Sequence, residues 1–236
     1  MFSKKINAFT LAEVLLTLMI IGVIATLTIP SLKETADKSA NLSLLQKAYS
    51  SIANVFAQIQ AENGPALYWK TKDGSRVFVD SSSENISTIF KQKMNVAAET
   101  GFLSDDYKIK SLEGSGSDSF KIDDTTVAIK DNTSSFQTTD GMMWFPSNTY
   151  SGCKYTKENE DAQKETIYLC GLLIVDTNGT KKPNRMGIDV FVFDITTEGI
   201  KPHSGEDDCS DMNGTGYTCA AKALSGDDKA LDFIYE

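Results

Sequence analysis

The first sixty residues of the chain carry two different apolar patterns in succession. Residues 9–30, FTLAEVLLTLMIIGVIATLTIP, contain a single formal charge, Glu13. About twenty apolar residues rising 1.5 Å each cross the hydrocarbon core of a bilayer, so this stretch is long enough for a membrane helix. In residues 31–62 the apolar positions are instead spaced by three and four, which predicts one stripe of an amphipathic helix. The stripe consists of Leu42, Leu45, Tyr49, Ile52, Phe56 and Ile59.

The two patterns together predict one helix from Phe9 to Glu62. No Gly or Pro lies between Ser31 and Glu62, and Asn63-Gly64-Pro65 is a helix stop, because Gly suits a left-handed cap and Pro cannot continue the helix. The stripe spans fewer than three heptads and lacks consistent charged flanks. We therefore expect it to pack on a globular domain of its own chain and not to form a coiled coil.

Residues 66–119 show short local signals. A hairpin is expected from 66–69 and 76–79 around the turn Lys72-Asp73-Gly74, because strand-like runs flank turn residues. A second helix is expected over 84–98, capped within 81–83. Its inner face would be formed by Ile86, Ile89, Phe90 and Met94. The Gly- and Ser-rich segment 112–119 is expected to be a surface loop.

The sheet is expected to come from the second half of the chain. Strand candidates are 120–129, 134–145 with a turn at Asp140-Gly141, 167–175 and 188–195. The last two are apolar on both faces, which is typical of central strands covered on both sides, and we expect the striped helix to cover one side. The predicted class is α+β.

Composition and charge narrow the classes of function. With 236 residues, the chain can hold one membrane segment and one domain of about 170 residues. A formal net charge of −9 argues against nucleic-acid binding and is typical of a solvated surface on an exported protein. The only histidine, His203, lies in a Pro-His-Ser-Gly segment without a nucleophile-elbow pattern, so we expect no enzymatic activity.

The four cysteines lie between residues 153 and 219 without Cys-x-x-Cys spacing, which disfavours zinc. In an exported domain they are expected to form two disulfides. Among the three possible connectivities, chain order favours Cys153 with Cys170 and Cys209 with Cys219.

The N-terminus, MFSKKINA before FTLAEVLLTLMIIGVIATLTIP, resembles that of a type IV pilin or type II secretion pseudopilin precursor. The resemblance implies that prepilin peptidase cuts between Ala8 and Phe9 and that the new N-terminal Phe9 is methylated. Glu13 then occupies the fifth mature position, where the family carries glutamate, and Pro30 the twenty-second, where many members carry proline. Ala8 departs from the family, which usually has Gly before the cut.

The alternatives for the apolar run are a buried helix of a soluble core and an ordinary secretory signal. The signal interpretation is disfavoured because no A-x-A-like cleavage site follows the run and because Glu13 lies inside it. Lys4 and Lys5 precede the run, which places the leader on the cytoplasmic side and the rest of the chain outside.

Glu13 has a physical role that fits this resemblance. Cleavage before Phe9 creates an α-amino group at a helix N-terminus, where the helix dipole disfavours positive charge. Glu13 lies one turn further on and can neutralise that amine in its own chain or in a neighbouring helix. The resemblance implies the neighbour, so that the pairing sets the axial step between subunits.

The expected organisation follows the pilin pattern. Residues 1–8 form the leader, 9–30 the membrane and filament-core half of the helix, 31–62 its amphipathic half, and 63–236 a globular head with C-terminal disulfide loops. The fold expected from the resemblance is pilin-like, with the long N-terminal helix packed on an antiparallel β-sheet head.

Residues 176–189, DTNGTKKPNRMGID, resemble the loop before a late strand in major pseudopilins. The oxygen ligands Asp176, Asn178 and Asp189 could converge on calcium, which some pseudopilins bind. In the alternative interpretation Asn178-Gly179 forms a tight turn and the acids cap backbone amides. Residues 176–189 lack the twelve-residue calcium-binding pattern with its closing Glu. The alternative expectation is therefore that the protein binds no cofactor.

A second acidic cluster, Glu206, Asp207, Asp208 and Asp211, lies in or beside the expected Cys209–Cys219 loop. It is interpreted as solvated, and a contact with another subunit or a metal is the alternative.

We expect a non-enzymatic, pilin-like structural subunit that is inserted in the inner membrane and then polymerised. Its expected partners are identical and related subunits, prepilin peptidase, the inner-membrane assembly machinery and, before assembly, the lipid bilayer. The alternatives are a pseudopilin of a type II secretion system and a membrane-tethered binding protein that does not polymerise.

Overall fold

The computed structural model describes most of the chain. It covers residues 10–79, 83–99, 103, 107–117, 119–122, 125–128, 134–158, 164–205, 209–226 and 231–235. The expectations for Ala8, Phe9 and the acidic residues 206–208 lie outside these ranges.

The N-terminal part of the described chain is a single helix, α1, Leu11–Asn63. The Thr10 side chain caps its first turn, and it ends where Gly64 takes a φ of 75° and donates its N–H to the Gln60 carbonyl at 2.8 Å. The predicted continuous helix and its stop are confirmed over the residues that the structure describes.

The head is built on a six-stranded antiparallel sheet with strand order β1-β6-β7-β10-β11-β12. Its strands are β1 (Val96–Glu99), β6 (Phe136–Thr138), β7 (Met143–Thr149), β10 (Leu169–Asp176), β11 (Val190–Thr196) and β12 (Ile200–Pro202). Three two-stranded ladders lie outside it: β2 (Ile109–Lys110) with β3 (Gly116–Ser117), β4 (Ser119–Ile122) with β5 (Thr125–Ala128), and β8 (Tyr155–Glu158) with β9 (Lys164–Ile167). Short helices complete the head: α2 (Ser83–Lys91), α3 (Cys219–Leu224) and α4 (Asp232–Tyr235).

Both faces of the sheet are covered. The helix stripe of α1 packs with α2 on one face, where Leu45, Ile52 and Phe56 meet alternate residues of β10 and β11. The opposite face carries Leu172, Ile174 and the aromatic ring of Phe145, and it is covered by the segment around Tyr107 and Ile109. The prediction that α1 packs on its own head is therefore confirmed, as is the prediction of central strands that are buried on both sides.

Three local predictions were wrong. Residues 66–68 form a 3₁₀ turn, and the predicted hairpin is reduced to one bridge between Lys70 and Arg76, because Trp69 turns its ring into the core. Helix α2 stops at Lys91, and 96–99 pair with β6 as β1. The expected surface loop at 112–119 contains the buried Leu112 and the strand β3.

The architecture is α+β, with an apolar N-terminal helix, an antiparallel sheet and disulfides. It is compatible with a pilin-like fold.

Candidate functional site

The first half of α1 lies outside the core of the protein. Leu11–Ile29 is a stretch of 19 residues that is long and apolar enough to cross a membrane, and none of it is buried. Its leucines, isoleucines and methionine are exposed, with Leu18 at 60% and Met19 at 69%. Such a surface fits a membrane anchor or a signal sequence, and it needs a bilayer or other apolar helices to cover it.

The hydroxyl groups on this apolar half are satisfied within the helix. Thr17 donates to the Val14 carbonyl at 2.9 Å, Thr26 to the Val23 carbonyl at 2.9 Å, and Thr28 to the Ile24 carbonyl at 3.0 Å. A hydroxyl that is bonded to its own helix needs no water, and this removes much of the cost of placing it in hydrocarbon.

Glu13 forms a capping box with Thr10. One carboxylate oxygen, Oε2, accepts both the Thr10 backbone N–H and the Thr10 hydroxyl at 2.8 Å, and the Thr10 Oγ1 accepts the Glu13 N–H at 3.3 Å. This arrangement satisfies donors that the first helical turn leaves open. The carboxylate therefore lies at the very start of the helix, bonded to its N-cap residue.

The second candidate site is the loop between β10 and β11. Asp176 is the last residue of β10 and Asp189 immediately precedes β11; both carboxylates are buried. Because the two strands are paired with Asp176 opposite Val190, their loop-side ends bring the two acids together. We refer to Asp176 and Asp189 as the carboxylate pair and to residues 176–189 as the carboxylate loop.

Hydrogen bonds from inside the protein surround the carboxylate pair. Asp176 accepts the Tyr107 hydroxyl at 2.7 Å and the Asn178 N–H at 3.2 Å. Asp189 accepts the Asn184 N–H at 2.9 Å, the Arg185 N–H at 2.6 Å and the Asn178 side-chain amide at 2.9 Å. The alternative of the sequence analysis, acids that cap backbone amides, is thus what these contacts show.

The charge of the pair is poorly compensated. Burial, followed by repulsion from Asp189, raises the pKa of Asp176 well above its usual value, although bonds from Tyr107 and Asn178 oppose the shift. Burial likewise raises the pKa of Asp189 against the bonds from Arg185 and Asn184. Burial and the neighbouring Asp176 carboxylate raise the pKa of Tyr107, so its hydroxyl stays a donor. Two buried acids that repel each other favour a proton or a cation between them.

Two asparagines of the carboxylate loop have side-chain oxygens that lack hydrogen bonds. Among the described residues, the side-chain oxygens of Asn178 and Asn184 are buried without a partner. Asn184 is 8% exposed. Rotation of the Asn178 amide by half a turn would exchange its nitrogen and oxygen and present the oxygen to a cation. Carboxylate and amide oxygens are the ligands that calcium prefers.

The oxygen atoms of Asp176, Asp189, Asn178 and Asn184 do not form the usual cluster of several acidic or histidine metal ligands. No group of three or more His, Cys, Asp or Glu side chains that could hold a metal occurs in the part of the chain that the structure describes. A cation here would have two carboxylates and would need neutral oxygens for the rest of its shell.

Both disulfides have the connectivity favoured by chain order. Cys153 is bonded to Cys170, across the base of the β8–β9 ladder, and Cys209 to Cys219. The second bond closes the C-terminal disulfide loop, residues 209–219. Within it Asp211 is exposed and accepts the Asn213 N–H at 2.7 Å, which agrees with a solvated acid.

Some polar residues of the head had no signal in the sequence. Nδ1 of the buried His203 lies 2.7 Å from Asp194 Oδ1, nine residues earlier, and Tyr107 reaches Asp176 from 69 residues away. His203 follows β12, a strand that the apolar pattern did not predict. Alternation in β11 places Asp194 on the face opposite Phe193, which was the one available hint.

Comparisons with protein-family models, with curated proteins and with solved structures found no match for this chain. The N-terminal motif and the architecture are the two observations that support the resemblance to pilins.

Proposed function

We propose that this chain is a structural subunit of a type IV pilus-type filament, made as a membrane-anchored precursor. The observation that carries the proposal is the helix α1, whose first 19 residues have no cover in the protein while its second half forms part of the core of the head. Helices of this build can leave a bilayer only for another apolar environment, and a bundle of identical helices supplies one.

Glu13 is proposed to fix the register of that bundle. Its carboxylate is held at the first turn by Thr10, the residue that follows Phe9 in the sequence. In an apolar bundle, pairing with the amine of a neighbouring subunit removes two costly charges at once.

The first experiment is the N-terminal mass of the protein from its native cells, in the membrane and in sheared surface material. The proposal expects a chain that begins at methylated Phe9 in both fractions. A chain that begins at Met1, or one cut after residue 30, would overturn it.

Glu13→Gln separates the helix cap from the charge. Glutamine can still accept the Thr10 bonds, so we expect processing and membrane insertion at wild-type levels and loss of the protein from sheared material. Glu62→Gln makes the same change in the last turn of α1, where the exposed carboxylate lies 2.6 Å from Lys93 Nζ. An exposed ion pair contributes little to stability, so this matched control should assemble normally. Wild-type assembly of Glu13→Gln would contradict the role given to the carboxylate.

Two related functions remain as alternatives. A type II secretion pseudopilin has the same build, and loss of protein export on deletion would favour it over a surface pilus. A membrane-tethered binding protein would stay monomeric in the membrane even when the assembly machinery is present.

A calcium site at the carboxylate pair is our second proposal, supported by the buried, repelling acids and the two unbonded amide oxygens. Asp176 and Asp189 would hold the ion, with Asn178 and Asn184 as neutral ligands. Calcium would supply a positive charge beside the two buried acids.

Titration calorimetry of the full chain in detergent tests this second proposal. We expect a calcium Kd of about 1 mM or tighter, as for extracellular calcium modules. Asp189→Asn should abolish binding, and Asp211→Asn, which neutralises an exposed acid, should not. A titration of the wild-type chain without heat of binding and without a calcium-dependent shift in thermal unfolding would overturn it.

A further inference from the structure

The carboxylate loop is hydrogen-bonded to the segment that covers the face of the sheet opposite α1. The Lys110 N–H donates to the Asn184 carbonyl and the Met186 N–H to the Lys110 carbonyl, both at 2.8 Å. The covering segment, residues 107–117, therefore follows the backbone of the carboxylate loop on both sides of Arg185.

Arg185 adds a side-chain clamp to this backbone pairing. Its Nε donates to the Ser111 carbonyl at 3.3 Å and its Nη2 to the Leu112 carbonyl. The backbone N–H of the same residue donates to Asp189 at 2.6 Å. One residue thus touches the carboxylate pair with its main chain and the covering segment with its guanidinium.

The covering segment in turn holds the C-terminal disulfide loop. The Leu112 N–H donates to the Thr215 carbonyl at 3.0 Å, and the Glu113 N–H to the Gly214 carbonyl at 3.1 Å. The two carbonyls that Arg185 binds, of Ser111 and Leu112, belong to the same two peptide groups as these N–H groups. The guanidinium therefore contacts the stretch to which the disulfide loop is attached.

The carboxylate loop and the disulfide loop also meet directly. A Cβ added at Gly187 would lie 2.6 Å from the Cys219 sulfur, and Gly187 has a φ of 79°. The two loops are therefore neighbours, with no room for a side chain between them at this point.

We propose that Arg185 is a positioning residue that couples cation binding at the carboxylate pair to the packing of the C-terminal disulfide loop. The inference rests on the calcium site proposed above. A cation fixes the Asp189 carboxylate, this carboxylate fixes the Arg185 backbone through its N–H, and the guanidinium then holds residues 111–113 against residues 214–215. The two arrangements in question are the disulfide loop packed on the covering segment and the same loop released from it.

Hydrogen exchange of the full chain in detergent, with calcium or with a chelator, measures this coupling. Each variant is studied at 100 times its own calcium Kd, so that openings which release the ion become about 100-fold rarer. In the wild-type chain we expect calcium to slow exchange in three places: the carboxylate loop, the covering segment and the disulfide loop.

Arg185→Met is the test variant. It keeps the backbone N–H to Asp189, so we expect calcium still to slow exchange in residues 176–189 and to change exchange in residues 209–219 by less than about twofold, against up to about 100-fold in the wild-type chain. Arg185→Lys, which can reach one carbonyl instead of two, should give an intermediate response. Lys181→Met removes one positive charge from an exposed position of the same loop and should behave as the wild-type chain.

Two kinds of failure are distinguishable. If calcium protects residues 176–189 but not 209–219 in the wild-type chain, or protects both in Arg185→Met, the coupling is wrong and the calcium site stands. If calcium changes exchange nowhere in the wild-type chain, the site and the coupling fall together, and the filament proposal is unaffected.

Discussion

Two regions of this molecule place side chains in environments that solvate them poorly, and they do so in opposite ways. Leu11–Ile29 exposes apolar side chains, whereas Asp176 and Asp189 bury acidic ones. Within the described residues, nothing buries the first half of α1, and the hydrogen bonds to the carboxylate pair come from backbone N–H groups, a hydroxyl and a side-chain amide. The exposed half of α1 requires a second apolar surface to cover it, which points to assembly. The carboxylate pair requires only a positive charge, which points to a small ligand.

The largest expected effect separates the two halves of α1. Leu45→Ala, in the buried half, should lower the free energy of unfolding of the head by about 2–5 kcal/mol, because it leaves a cavity in the core. Leu18→Ala, in the exposed half, should change it by less than about 0.5 kcal/mol. Urea unfolding in detergent, followed by the fluorescence of the buried Trp69 and Trp144, reports on the head alone. An equal loss in both variants would show that the first half of α1 belongs to the fold of the head.

The second prediction concerns the buried acids in the presence of a chelator. Asp176→Asn should stabilise the head at pH 7 by on the order of 1 kcal/mol, because it removes a buried, repelling charge and keeps an oxygen for Tyr107. The raised pKa of Asp176 fixes the sign of the pH dependence: the wild-type residue stabilises the fold when protonated, and this contribution is lost as the pH rises through its raised pKa.

The advantage of Asp176→Asn should therefore shrink as the pH falls and be gone below about pH 3.9, the usual value for Asp. Urea unfolding from pH 3 to 7 measures it. A variant that is less stable than the wild type at pH 7 would contradict the repulsion.

The smallest expected effect on stability comes from Asp140, a partly exposed acid that has a lysine partner. It contrasts with the buried Asp176. Burial would raise the pKa of Asp140, but bonds from Thr138 and Lys47 outweigh it and lower the pKa. Its oxygen lies 2.9 Å from Lys47 Nζ on α1, and both side chains are partly exposed. Asp140→Asn should destabilise the head by about 0.2–1 kcal/mol at pH 7, as expected for an exposed ion pair.

The effect of Asp140→Asn on stability has the opposite sign to that of Asp176→Asn, and it changes over a different pH range. Because the pKa of Asp140 is lowered in the folded protein, its contribution is present above about pH 3.9 and is lost as the pH falls further. The same unfolding series measures it. A cost that grows on acidification would contradict the ion pair with Lys47.

The helix and the central strands could be predicted because their signals are local. The spacing from Leu42 to Ile59, the stop at Gly64 and the apolar runs of β10 and β11 each lie within one short stretch of sequence. The convergence of Asp176 and Asp189 could also be anticipated, because acids at the two ends of one loop between paired strands must come close.

What could not be predicted depends on contacts between distant segments. Tyr107 reaches Asp176, and the Arg185 guanidinium binds carbonyls more than 70 residues away, with no motif to announce either. At Trp69 the strand-like pattern was misleading, because burial of the indole against Phe56 and Phe78 favours a turn there. Leu112 stands in a Gly- and Ser-rich stretch, where a single apolar residue gave too little signal to indicate a buried position.

The two disulfides also determine how the head would respond to a pulling force. Cys153 and Cys170 are 17 residues apart, and Cys209 and Cys219 are 10 apart. If the chain is stretched between α1 and its C-terminus, the residues inside each bond carry no tension. At about 3.4 Å per extended residue, the bonds together withhold about 90 Å of contour length. The β8–β9 ladder and the C-terminal disulfide loop therefore bear none of the applied force. We expect them to stay folded under a force that unfolds the neighbouring strands.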